Sequence, residues 1–243
     1  MPTTDRLWLP YCGAGPTPAE LWSRWNLDPA VLVAMALLGV GLATLAPDRR
    51  RFVVAAITVM SLIFVSPLCA LSSALFSART VHHVLLTVMA APLIAWSLPR
   101  LKGPPRVAAT TLLFTAVFWG WHAPAAYGAA MSNDLVYGLM QLSLLASAVA
   151  AWRAVRAAPP PAAVAGLLAA MVLMGLLGAI LTFTPRALYA PHALTTAAWG
   201  LTPIADQQLA GLIMWIPAAA VYLVFALAIL GRLLRPQPSV QPA

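Results

Sequence analysis

The stretch FSARTVHHVLLTVMAAPLIAW, residues 76–96, decides the fold. It has the length and most of the apolar character of a bilayer crossing, which needs roughly 20 mostly apolar residues. Yet its first turns carry Arg79, His82 and His83, two of the four histidines in the chain. Ionisable groups at membrane depth are costly and mark functional sites by default. The segment therefore reads as a membrane helix with one end built for something other than lipid.

The rest of the 243 residues supports a membrane reading, being 62% hydrophobic and only 8% charged. Soluble domains sit nearer 45–50% apolar and about 25% charged. The net charge of +8 would suggest nucleic acid in a soluble protein. Here the basic residues stand in short connections between apolar runs, so no nucleic-acid partner is expected.

Seven runs have span character, at about 29–46, 52–71, 80–98, 107–125, 135–152, 162–183 and 205–231. The expected fold class is an all-α integral membrane bundle of seven transmembrane helices. Ten of the 14 Lys and Arg fall on one side: Arg49, Arg50, Arg51, Arg100, Lys102, Arg106, Arg153, Arg156, Arg232 and Arg235. The excess of basic residues marks the cytoplasmic side. This places the N-terminus outside and the C-terminus in the cytoplasm. The expected organisation is a periplasmic tail over 1–28, the seven-helix domain over 29–232 and a cytoplasmic tail over 233–243. Residues 1–28 have no apolar core, so no cleavable signal peptide is expected. A bacterial inner membrane, crossed several times, is the expected location.

On that topology the rare polar groups collect at the outer face. His82 and His83 open span three, His122 closes span four, and His192 lies in the long connection before span seven. Asp206, Gln207 and Gln208 open span seven, Cys12 is in the tail and Cys69 ends span two. On a helix His82 and His83 diverge by about 100°, so one is expected to face the bundle and the other to pack elsewhere or meet headgroups. Arg79 shares a face with either and favours the neutral imidazole that binds metals.

The candidate ligands are His83, His122, His82, Cys12, Cys69 and Met214. Asp206, Gln207, Arg79 and His192 are candidates for the surrounding positions, with Asp206 orienting a metal-bound imidazole or, more plainly, capping its own helix. Cys12 and Cys69 share an oxidising compartment and form a disulfide, serve as two thiolate ligands for a soft metal, or stay free. Met131 is a further candidate thioether. Ala210 and Gly211 in span seven would let a neighbouring helix approach closely. No phosphate loop, nucleophile elbow, HExxH or CxxC motif is present, and the few acidic residues are too scattered for a carboxylate dyad, so no enzyme is expected.

Three runs carry a family resemblance: DQQLAGLIMWIP at 206–217, WHAPAAY at 121–127 and SPLCALSSALFSARTVHHVLL at 66–86. Together they resemble the multispan cytochrome c oxidase assembly proteins, the caa3-type CtaG family, over nearly the whole chain. The resemblance implies an inner-membrane protein that matures haem–copper oxidases and supplies copper to them. It assigns His122 to the span-four motif, and Asp206, Gln207, Gln208, Met214 and Trp215 to the span-seven motif. His83 matches the last histidine of an H-M-x-Q-H pattern in which Arg79, Thr80 and His82 replace the first histidine, the methionine and the glutamine. One potential ligand is thereby moved or lost.

The expected function is an assembly factor for a haem–copper oxidase that binds copper, as Cu(I), and delivers it at the periplasmic face. Imidazole and sulfur ligands suit that ion. The expected partners are oxidase subunits and the lipid bilayer. The alternatives are a metal-free chaperone scaffolding an oxidase subunit, and a haem-handling protein with His83 and His122 as axial ligands.

Overall fold

The computed structural model describes Trp8 and residues 10–233. Arg6, Arg235 and nearly all of the expected C-terminal tail lie outside the described residues. Among the described residues the protein is all helical, without strands. The helices are α1 (Pro29–Leu45), α2 (Arg50–Phe64), α3 (Leu68–Ala74), α4 (Phe76–Val84), α5 (Ala91–Ser97), α6 (Val107–His122), α7 (Pro124–Ala130), α8 (Asp134–Ala157), α9 (Pro160–Phe183) and α10 (Pro203–Leu233). A π turn over Leu85–Ala90 joins α4 to α5, making one rod from Phe76 to Ser97.

Local chemistry sets the boundaries. The Asp28 carboxylate accepts from the Ala30 N–H at 2.8 Å and Pro29 takes the first helical position of α1, the two devices that start a helix cheaply. Asn133 caps α8 through the Val136 N–H at 3.1 Å. Thr202 Oγ1 accepts from the Ala205 N–H at 3.2 Å at the start of α10. Ala123 is held extended before Pro124, as a residue preceding proline prefers, and α6 ends there.

Seven full-length spans are not what the helices give. Four are long and apolar enough to cross a membrane: the Phe76–Ser97 rod, α8, α9 and α10. Helices α1 and α2, of 17 and 15 residues, reach only about 26 and 22 Å at 1.5 Å per residue. They meet at 116° and together count as one broken span or re-entrant pair. Helix α6, of 16 residues, reaches about 24 Å. The difference has a local cause. Pro47, Pro67 and Pro124 stand at helix starts or breaks inside or beside runs that hydropathy alone carries on, and proline cannot extend a preceding helix.

The rod is the centre of the bundle. Two-thirds of its apolar window is buried (67%), against 22% for α10. The outer faces carry exposed Leu37, Val54, Leu112, Leu139, Val172 and Val224, while Arg79, all four histidines, Gln141 and Asp206 are inside. That inverts the pattern of a soluble protein and fits a lipid surround. Helices α9 and α10 cross at two glycines: a Cβ at Gly211 would lie 2.5 Å from the Gly178 carbonyl oxygen, and one at Gly178 would lie 2.7 Å from that of Gly211. This is the close approach that small residues allow.

Midway along the rod, Trp152 of α8 fills the bundle. Its indole N–H donates to Thr87 O in the π turn at 2.9 Å. Its ring stacks on Tyr222 of α10 at 5.6 Å and 7°, with Phe225 edge-on at 4.9 Å. At the far end of the rod, Arg49 and Arg156 donate to the last carbonyls of α5. Arg49 reaches Leu98 O at 2.7 Å and Arg156 reaches Ala95 O at 2.6 Å and Leu98 O at 2.9 Å, satisfying groups that a helix C-terminus leaves unpaired.

Candidate functional site

The site sits at the N-terminal end of the rod. Leu75 is extended and offers α4 no side-chain cap. Asp206, from α10, supplies it instead: its carboxylate accepts from the Phe76 N–H at 2.6 Å, the Ser77 N–H at 3.1 Å and the Ser77 hydroxyl. A carboxylate on a helix N-terminus satisfies orphan donors and meets the positive end of the dipole. Among the described residues Asp206 makes no hydrogen bond to an imidazole; it caps a helix of another segment. Gln207 likewise serves the backbone. It accepts from the Leu188 N–H at 2.7 Å and donates to Leu181 O at 3.3 Å and Arg186 O at 3.1 Å, fastening the 184–202 connection.

One turn into α4, Arg79 is wholly buried, at 0% exposure. Its guanidinium donates to the Tyr137 hydroxyl at 3.1 Å, lies 3.8 Å from Met131 Sδ, and leaves Nε without a partner. Among the described residues no carboxylate accepts from it. A buried cation without an anion is expensive.

His82 and His83 diverge as helical geometry requires, but both side chains are fully buried by the protein itself. His82 turns to α2, edge-on to Phe64 at 5.0 Å, with neither ring nitrogen bonded. His83 turns to α6 and α8. It meets His122 edge-to-face with ring centroids 5.4 Å apart, and its Nε2 lies 3.5 Å from Gln141 Nε2. The His122 Nδ1–H donates to Phe118 O at 2.7 Å. That bond fixes the tautomer and leaves the Nε2 lone pair bare, and Nε2 has no partner among the described residues. Phe118 stacks on the His122 ring at 4.3 Å. The site thus places two buried imidazoles together, with unpartnered nitrogens at His122 Nε2 and His83 Nδ1.

The 184–202 connection closes the top by folding into the bundle. Tyr189 stacks on Phe76 at 3.7 Å and donates to His122 O at 2.7 Å. His192 Nε2 pairs with the Tyr127 hydroxyl at 2.6 Å, one position removed from the other imidazoles. Burial, and behind it the charge of Arg79, hold the His192 imidazole down to about 3. Burial also raises the Tyr127 and Tyr189 phenols well above their usual range, so both stay neutral.

Cys12 and Cys69 are joined in a disulfide, with Cα atoms 5.4 Å apart. As half-cystines they have no thiolate to offer, and of the three sequence readings the disulfide is the one the structure contains. The bond fastens the tail to α3, where Tyr11 stacks on Tyr137 at 5.3 Å and its hydroxyl meets Asp28. Met214 is buried on α10 and makes none of the ring or hydrogen-bond contacts described above. No group of three or more His, Cys, Asp or Glu converges as a metal site among the described residues. Four contributors escaped the sequence reading: Tyr137, Gln141, Phe76 and Phe118. Gln141 had a legible signal, a buried amide in the middle of an apolar helix. Phe76, Phe118 and Tyr137 had none.

Fold and site together define a helical protein of the membrane type, with a closed cluster of imidazole, phenol and guanidinium groups at one end of its central rod. Residues 39–236 match the family described as cytochrome c oxidase caa3 assembly factor (Caa3_CtaG). The chain belongs to that family. No curated protein and no solved structure matches it.

Proposed function

We propose that this oxidase assembly factor holds copper, as Cu(I), between His83 and His122 and passes it to a subunit of a haem–copper oxidase. On this reading its helices cross a bacterial inner membrane seven times, α1, α2 and α6 as short crossings, with the imidazole end on the periplasmic side. The single observation that carries the copper reading is the His83–His122 pair: rings 5.4 Å apart, with bare nitrogens at His122 Nε2 and His83 Nδ1. Two neutral imidazoles with the tautomer of one fixed by a backbone carbonyl suit a d-block ion. Few ligands mean easy release, which transfer requires. Arg79 bears on the charge of the ion, since repulsion from a fixed cation doubles between a monovalent and a divalent ion. Copper bound there would supply only its own affinity for the acceptor site. The protein's part is to bury the ion, exclude water and fix the ring orientations.

Metal analysis of the anaerobically purified protein tests this. Wild type is expected to carry about one copper per chain, and His83→Ala and His122→Ala to lose it together with oxidase assembly. Copper-free wild type, or variants that assemble oxidase fully, would sink the reading.

A second reading, a metal-free chaperone that scaffolds an oxidase subunit, is supported by one observation, the buried Arg79 guanidinium without a carboxylate. An acidic side chain of the client would complete it. The haem reading has less support, because Phe118 and Phe76 already flank His122, at 4.3 and 6.3 Å, where a macrocycle would need room.

A further inference from the structure

A large hollow among the described residues lies at the opposite end of the rod from the histidines. It is a cleft of about 780 Å³ between α2, α5, α8, α9 and α10, within the size range of small-molecule sites. Its rim carries Arg49, Arg51, Arg100, Arg156 and Arg232. None of its lining residues is acidic. Its apolar lining includes Phe52 of α2, Leu93 of α5, and Phe225 and Ile229 of α10. Met89, also in the wall, is 43% exposed, so the cleft opens towards the surround of the helices.

The arginines divide by what they do. Arg49 and Arg156 are bonded to the carbonyls that end α5, which explains them structurally. Arg51, Arg100 and Arg232 are exposed and make no hydrogen bond among the described residues, although Arg51 lies over the Phe52 ring at 4.9 Å. A preference for basic residues on one side of a membrane accounts for their number but not for a ring of five around one hollow. Like charges so gathered repel, and an anion among them removes that cost. The guanidinium fork matches phosphate oxygens, and the apolar lining matches a hydrocarbon chain.

We propose that the cleft binds one anionic phospholipid of the bilayer, its phosphate held by Arg51, Arg100 and Arg232 and an acyl chain laid along Phe52, Leu93, Phe225 and Ile229. Basic pockets between membrane helices take anionic headgroups in this way. The site is separate from the imidazole cluster and does not depend on copper.

Native mass spectrometry of the full chain, released from micelles containing equal phosphatidylglycerol and phosphatidylcholine, tests the proposal. Phosphatidylglycerol is expected as a single retained adduct in clear excess over phosphatidylcholine. Arg100→Gln combined with Arg232→Gln should weaken retention about thirtyfold, at about 1 kcal/mol per basic residue. Leu93→Trp, which fills the wall, should also reduce it while leaving the arginines in place. Lipid-free thermal melts of each variant, unchanged from wild type, exclude misfolding as the cause. Equal retention of the two lipids, wild-type retention by the double arginine variant, or displacement of the adduct by millimolar inorganic phosphate would each overturn the assignment, the last by showing a free-anion site instead.

Discussion

The Arg79 guanidinium lies 5.1 Å from the centre of the Tyr137 ring and donates to that tyrosine's hydroxyl at 3.1 Å. Both residues are buried, on α4 and α8. Tyr137→Phe keeps the ring contact and removes the acceptor, leaving a buried cation with one fewer partner. The expected loss is about 1–3 kcal/mol, a drop of several degrees in thermal midpoint at about 2–4 °C per kcal/mol for a chain of this size. A melt indistinguishable from wild type would mean that water or another group already serves Arg79.

The disulfide gives a prediction that separates stability from metal binding. Cys12 and Cys69 are 57 residues apart, a loop whose cross-link is worth about 4 kcal/mol in the chain-entropy account. The double variant Cys12→Ser/Cys69→Ser should melt markedly lower yet carry the same copper per chain as wild type. Loss of copper at temperatures where the variant is folded would return the sulfurs to the ligand set.

His192 predicts an acid-sensitive fold. Its folded-state value is about 3, lowered by burial and by Arg79, against about 6.5 in an unfolded chain. Between these values the unfolded chain binds a proton that the folded one refuses. The stability present above pH 6.5 is therefore lost progressively as pH falls towards 3. His192→Asn should flatten the stability-versus-pH slope by about one proton, or about 1.4 kcal/mol per pH unit. Parallel slopes for the two proteins would refute the assignment.

The α9–α10 crossing predicts intolerance of a single methyl group. Gly211→Ala places a Cβ 2.5 Å from Gly178 O and 2.3 Å from Thr182 Oγ1. Backbone cannot swing away as a side chain can, so a cost of about 1–3 kcal/mol is expected. Gly231→Ala, whose Cβ meets nothing within 4 Å, is the control and should melt as wild type or slightly higher.

Much of this was legible in the residues, for identifiable reasons. Hydropathy marked where helices lie, and the gathering of His83, His122 and His192 at one end followed from counting polar groups along apolar runs. Family resemblance and the match over 39–236 agree. Hydropathy does not register backbone stops, so Pro67 cut a run that reads as continuous, and α1 and α2 came out short and bent. Partner choice was harder. Asp206 was legible as a helix cap, but not as the cap of α4, 130 positions earlier. That bond depends on α10 packing against the rod, which no local pattern encodes. For the same reason Tyr137 was invisible as the neighbour of Arg79 until α8 was in place.

Trp152 carries a consequence for traffic. Indole, the Tyr222 phenol and the Phe225 ring pack together midway between the imidazole cluster and the arginine cleft, and the void beside them is about 10 Å³, room for at most one water. On the proposed copper reading, an ion held between His83 and His122 would therefore be released without passing the packed middle of the rod.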